Sequence, residues 1–233
     1  MDIKNFETLI LSELKAVTKR IIELNPSPHI SAKSRAGAEI SALLEKEFVK
    51  LTHSHQYLKK SEASPAGATK NPWDAKTYFS HNGHEELIWI DFKAVKVSSA
   101  DSNPDIGTPD KIISLIEEGY FYLVYIFVYY KETPEGLKFV KNQDGDFIKI
   151  YFLKDISSTF RRNPKNQLQV NISAEPEERT REEFINLLFN KIKESHKRQI
   201  LISTKILKRL EEDDTESKLL EINKQSEGII KNL

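Results

Sequence analysis

The sequence predicts an α/β domain: a mixed central β-sheet flanked by helices, with a helical extension at its C-terminus. Three observations carry this. The expected elements run helix, helix, hairpin, helix, strand, strands, helix in chain order. The segment YFYLVYIFVYY (120–130) is apolar or aromatic on both faces, as a central strand covered on both sides must be. A long helical period from about 181 to 212 follows the last strand.

Residues 3–24 place Ile3, Phe6, Ile10, Leu14, Val17, Ile21 and Leu24 at helical spacing, and Asn25-Pro26 stops them. Residues 34–51 predict a second helix with Ile40, Leu43, Leu44, Phe48 and Leu51 on its apolar face. The polar stretch 52–70 reads as loop, and residues 72–97 read as a β-hairpin. Thr108-Pro109-Asp110 starts a third helix with a hydroxyl cap, a first-turn proline and an acid at the positive dipole end; Gly119 closes it. Shorter strands are expected near 137–141 and 147–153, joined through Asp144-Gly145, and another at 167–173. Thr180 with Glu183 forms a capping box that opens the last helix. Residues 1–205 are expected to form the main domain and 206–233 a charged helical tail.

Composition narrows the chemistry. The 233 residues contain no cysteine, which excludes disulfides, thiolate zinc sites, iron–sulfur clusters and a cysteine nucleophile. No run approaches the roughly 18 apolar residues of a membrane span, and MDIKNFETLI lacks the order of a signal peptide, so a cytoplasmic protein without a membrane partner is expected. Basic and acidic residues balance at 35 each, so a nucleic-acid partner would need a local basic surface. There is no phosphate-binding GxxxxGK[ST] or GxGxxG run, and no nucleotide cofactor is expected.

The informative segment is NPWDAKTYFSHNGHEELIWIDFKAVK (71–96). Asn82-Gly83 is the preferred pair for a two-residue hairpin turn, because both positions need positive φ. That turn pairs His81 with His84, and the register then sets Asp74 directly opposite Asp91. Their Cβ atoms would stand roughly 4.5–5.5 Å apart on one face. Lys93 lies two residues beyond Asp91 and projects from the same face, while Ile88, Ile90 and Phe92 point the other way.

Facing carboxylates repel on a bare sheet; a divalent cation reverses the sign, and oxygen ligands at this spacing suit Mg²⁺. The lysine can position a water or stabilise developing charge. Two acids, one spacer residue and a lysine make the constellation of metal-dependent phosphodiester hydrolysis. The pattern resembles the PD-(D/E)xK nuclease motif. Glu39, beside Ala36, Gly37 and Ala38, is a further acid, because nucleases of that superfamily often place a helical glutamate at the metal site. The plain alternatives are a solvated Glu39 and a surface hairpin bearing an ordinary Lys93–Asp91 pair.

Two segments are candidates for contact with DNA. Lys96, Ser98, Ser99 and Asn103 follow the catalytic strand directly. In FRRNPKNQLQVNIS, Arg161, Arg162 and Lys165 form a local basic patch, and Gln167, Gln169 and Asn171 alternate so that all three amides share one face. Such amides match the donor–acceptor pair of adenine in the major groove, which hints at an A·T-rich target; the alternative is a solvated strand face. Lys33 and Arg35 are candidate phosphate contacts. The pairs His53/His55 and His81/His84 have no third ligand at zinc-like spacing and read as surface and hairpin flanks. Ile200, Ile206, Leu207 and Leu210 read as helix packing or a dimer seam.

The segments NPWDAK, EELIWIDFKAVK, DSNPDIGTPDKI, GYFYLV, RRNPKNQLQVNISAEP and RTREEFI resemble the SwaI-like type II restriction endonucleases, over roughly residues 1–200 and fading in the tail. The resemblance implies a restriction-endonuclease-like core and a homodimeric, Mg²⁺-dependent enzyme acting on double-stranded DNA. Enzymes of this kind cut the palindrome ATTTAAAT at its centre to leave blunt ends. Asp74, Asp91 and Lys93 match the family pattern; Asp74, Asp91 and the Phe92 carbonyl would hold the metal. Glu39, carried over from general nuclease architecture, would hold a second ion or a metal water. One departure is that the first acid follows Trp73 rather than a proline.

Overall fold

Asn82 and Gly83 both adopt positive φ, 50° and 80°, and close the hairpin on which the rest of the sheet is built. The computed structural model describes residues 2–28, 36–65, 73–97, 103–119, 122–163 and 166–212. It divides into two compact units, Met1–Leu187 and Leu188–Leu233.

The first unit opens with α1 (Ile3–Leu24) and α2 (Ala36–Thr52). Strands β1 (Leu58–Ala63), β2 (Ala75–His81) and β3 (His84–Lys96) follow, then β4 (Asp105–Gly107) and α3 (Pro109–Glu117). The chain continues through β5 (Leu123–Thr133), β6 (Gly136–Phe139) and β7 (Ile148–Phe152), then β8 (Arg161–Arg162), β9 (Leu168–Gln169) and α4 (Arg181–Glu212). The main sheet has the order β1-β2-β3-β5-β6, with β7 also on β5, and a small sheet has the order β4-β9-β8. The β3–β5 pair is parallel and its neighbours are antiparallel, so the sheet is mixed and the fold is α/β. A parallel pair needs a crossover, and residues 97–122, with β4 and α3, supply it.

One face of the main sheet carries Ala75, Phe79, Ile88, Ile90, Phe92, Val124 and Ile126, all packed into one core with the apolar stripes of α1 and α2. Those stripes repeat every three or four residues, as Ile10, Leu14, Val17 and Ile21 in α1 and Ile40, Leu44 and Phe48 in α2. The Phe48 ring meets Phe92 edge-on at 5.9 Å. The opposite face presents Trp89, Asp91 and Lys93 beside Leu123, Tyr125 and Phe127. The small sheet is tied to it where the Tyr125 hydroxyl donates to the Ile106 carbonyl at 3.0 Å.

The structure departs from the sequence expectation at four strands. β1 lies in the stretch expected to be loop: its burial follows no period, only Leu58 is buried, and its order comes from pairing with β2 across an irregular register. β8 and β4, two and three residues long, are too short for any periodicity. The expected strand 167–173 contracts to Leu168–Gln169, after which a turn takes over. The capping box forms as expected, with the Glu183 carboxylate accepting from the Thr180 amide at 2.7 Å and Thr180 Oγ1 accepting from the Glu183 amide at 3.2 Å.

In the second unit the described chain is the remainder of α4, which runs unbroken through the expected boundary near residue 205. Ile200, Ile202, Ile206, Leu207 and Leu210 are exposed there. No described helix is long and apolar enough to cross a membrane.

A β-branched residue at Gly83 would be strained by its φ of +80° although space is open around it. Gly83→Val is expected to cost about 1–2 kcal/mol, read as a lowered Tm; an unchanged Tm would show that the turn does not fix the hairpin.

Candidate active site

β2 and β3 pair in unbroken register from His81 opposite His84 to Ala75 opposite Ile90. Asp74 lies one residue beyond the last pair, with its carboxyl within hydrogen-bond reach of the Asp91 carboxyl. β2 begins at Ala75, and just before it the Asp74 amide donates to the Ile90 carbonyl at 2.7 Å. This leaves the Phe92 peptide groups at an open edge of β3. The Asp74 carboxylate accepts from the Phe92 amide at 2.8 Å, and the Phe92 carbonyl accepts from the Ser41 hydroxyl of α2 at 2.9 Å. A carbonyl oxygen has two lone pairs, and Ser41 takes one of them. Lys93 Nζ lies 2.8 Å from Asp91 Oδ1.

Asp91 is buried at 4% exposure. Burial raises its pKa to about 7; the Lys93 ammonium pulls the other way, and the adjacent Asp74 carboxyl adds to the rise. Asp74 is also raised, chiefly by burial, against the Phe92 amide and Lys93. Burial works against the Lys93 ammonium, but Asp91, Asp74 and Asp105 outweigh it, and its pKa is raised. Lys93 is therefore a cation that donates, flanked by two acids that burial holds toward the neutral form. Tyr125, opposite Asp91 on β5, is fully buried and its pKa is pushed well up, first by burial and then by the Asp91 charge.

A raised carboxyl pKa is a statement about stability. The favourable contribution of protonated Asp91 is complete below the ordinary range near pH 4 and is lost as pH rises through about 7. In chelator, the Tm difference between the wild type and Asp91→Asn is expected to move against the wild type across that window, by a few kcal/mol at most. Mg²⁺ should restore the wild type alone. A difference that is flat with pH would contradict the burial of a titrating acid.

Glu39 lies in the first turn of α2 and is half-buried. At 100° per residue it stands about 200° around the helix from Ser41, whose hydroxyl reaches the site. Glu45, one turn beyond Ser41, shares the flank of α2 that Ser41 uses. Its pKa is raised, first by burial and then by the Asp74 charge, against a backbone hydrogen bond at Ser64. Among the described residues no three His, Asp or Glu side chains converge as a metal cage. The oxygen donors that could hold a cation here are the two carboxylates and the Phe92 carbonyl. That suits Mg²⁺, which keeps several waters and takes phosphate oxygens from its substrate.

The DNA candidates divide. Gln167, Gln169 and Asn171 do lie opposite the buried Leu168 and Val170. The Gln169 amide is internally engaged, donating to the Asn103 carbonyl at 3.1 Å and to Asp105 Oδ1 at 3.4 Å and accepting from Arg161 Nε at 3.2 Å. Asn103 Oδ1 accepts from the Ile172 amide and Asn171 Oδ1 from the Ser173 amide. Arg162 bonds Asn166, and Lys96 pairs with Glu132 at 2.8 Å. Lys33, Arg35, Ser98, Ser99 and Lys165 lie outside the described residues. His55 is structural: its Nδ1 accepts from the Tyr57 and Leu58 amides.

Sequence reasoning missed Ser41, Glu45 and Tyr125. For Ser41 and Glu45 a signal existed, since both stand about 100° to one side of the stripe of Ile40 and Leu44. For Tyr125 there was none, because a hydroxyl inside an all-apolar strand reads as core.

The SwaI-like family, described as SwaI restriction endonuclease, matches residues 2–210. No curated protein matches the chain. Among solved structures it is similar to the NlaIV restriction endonuclease, at 14% identity and a TM-score of 0.46, over 70% of this chain. The match covers 66% of that structure's chain, just under two thirds of its length.

Proposed function

The chain belongs to the SwaI-like restriction endonuclease family, and from that premise we propose that it is a type II enzyme that hydrolyses both strands of DNA with Mg²⁺. We propose further that its target is an A·T palindrome, ATTTAAAT, cut at the centre to blunt ends.

The observation that carries the hydrolytic reading is the Asp74–Asp91–Lys93 cluster at the open edge of β3, with Asp91 buried and its two partners half-buried. A structural role explains it poorly, since a buried and a half-buried acid beside one lysine are costly without a further cation. A bound divalent ion would act as Lewis acid on the scissile phosphate and lower the pKa of its water. Asp74 and Asp91 would hold it, with the Phe92 carbonyl. Ser41 fixes that carbonyl, and the Phe92 amide fixes Asp74. The Lys93 ammonium orients the attacking water and meets charge as it develops on the phosphate oxygens. In-line displacement leaves a 5′-phosphate and a 3′-hydroxyl. Glu45, facing the Asp74 charge, is better placed than Glu39 to order a water at this site. A palindromic target calls for a homodimer with two-fold symmetry and one such site per protomer.

The test is digestion of phage DNA with Mg²⁺. Discrete, blunt-ended fragments are expected. A smear would mark a nuclease without sequence preference, and intact DNA would reject hydrolysis.

A further inference from the structure

Bidentate reading of adenine needs an amide with both its oxygen and its NH₂ free. Internal bonding removes most amides near the site from that task. Gln169 is engaged at both ends, Asn103 and Asn171 at their oxygens, and Asn163 at both ends through Asp105 and the Gln167 amide. Gln143 and Gln167 have no hydrogen bond to another described residue through their side chains.

Gln143 sits in a groove of about 410 Å³ whose walls include Val95, Lys96, Asn103, Lys149, Asn171 and Glu175. Val95 is on the same face of β3 as Asp91 and Lys93 and two residues past Lys93, roughly 7 Å along the strand. A duplex seated on the metal site would pass this groove. Its cations are internally paired, Lys96 with Glu132 and Lys149 with Glu175, and the Asp144 carboxylate on its wall accepts from the Asn142 side chain.

The loop is built to present that side chain. Asn142 Oδ1 accepts from the amides of Asp144 and Asp146 at 3.0 and 2.9 Å, and its Nδ2 donates to Asp144. The Asn142 amide donates to the Asp146 carbonyl at 2.8 Å, and Gly145 takes the positive φ the turn requires. Gln143 stands on the tip of this bonded frame.

We propose that Gln143 is a base-reading residue that takes the N6/N7 edge of an adenine in the major groove. This rests on the endonuclease reading above and gives its specificity a residue. The amide face of 167–171 then serves mainly as a brace, with Gln169 holding Arg161 and Asp105.

The experiment selects bound duplexes from a random pool, using the full-length chain carrying Asp91→Asn so that DNA stays intact. The same selection is run with Gln143→Ala added. The expected result is one enriched palindrome, with adenine preference lost at one symmetric pair of positions in the Gln143→Ala protein and kept at the others. Affinity for the enriched site should fall about 10- to 100-fold per protomer. An unchanged preference at every position would overturn the role of Gln143 while leaving the endonuclease reading intact. Failure of both proteins to enrich any sequence would overturn site-specific recognition, and the proposal with it.

Discussion

Asp91→Asn is expected to lower Mg²⁺-dependent cleavage by at least about 10³-fold while sequence-specific binding persists. Asparagine keeps the shape of the side chain and removes its charge. Its amide oxygen would still accept from Lys93, so the β3–β5 register and the packing of Phe92 against Phe48 stay in place. What is lost is one of two anionic ligands, in a site where no third described side chain converges to replace it. The same change removes a buried carboxylate, so without metal the variant should be no less stable than the wild type above pH 7. Loss of cleavage without loss of stability at neutral pH assigns the residue to chemistry rather than to folding. Cleavage within tenfold of the wild type would remove Asp91 from the mechanism.

Lys93→Met is expected to lower cleavage by about 10²- to 10⁴-fold. The methionine retains most of the stem and loses the ammonium. Asp91 and Asp74 then lose the nearest charge that draws their pKa values down, so both should rise further. The residual activity should therefore need a higher pH than the wild type, because a metal must displace a more tightly held proton. Lys93→Arg should not restore the rate, since a planar fork does not replace a compact ammonium 2.8 Å from Asp91 Oδ1. A pH profile that keeps the wild-type midpoint in Lys93→Met would contradict the coupling of these three groups.

Much of this site was legible because a hairpin converts sequence into geometry. Asn82-Gly83 specifies the turn, the turn specifies the register as far as Ala75 opposite Ile90, and the next residue, Asp74, brings its carboxyl beside Asp91. Alternation then decides the face, which is why Lys93 and the apolar Phe92 separate cleanly. The helices were legible for a similar reason, since the stripes of α1 and the cap of α4 are local patterns. β1 was not, because an edge strand of mostly exposed polar residues is ordered by its partner and not by its own sequence. The small sheet was lost for want of length. The side-chain bonding of Gln169 and Asn103 depends on three segments meeting in space, so within the row of amides Gln169 is engaged at both ends and Asn171 at its oxygen, which no local pattern shows. Glu39 and Glu45 show the same limit. Both are helical acids near small or polar neighbours, and only the contact of Ser41 with the Phe92 carbonyl shows which flank of α2 turns to the site.

The central claim is that Asp74, Asp91 and the Phe92 carbonyl together hold one divalent cation. Anomalous diffraction from crystals of the full chain grown with Mn²⁺ and a cognate duplex tests it most directly. The account predicts a peak bonded to one oxygen of each carboxylate and to the Phe92 oxygen, at about 2.0–2.3 Å. A Mn²⁺ bound only elsewhere, with no peak between Asp74 and Asp91, would contradict it.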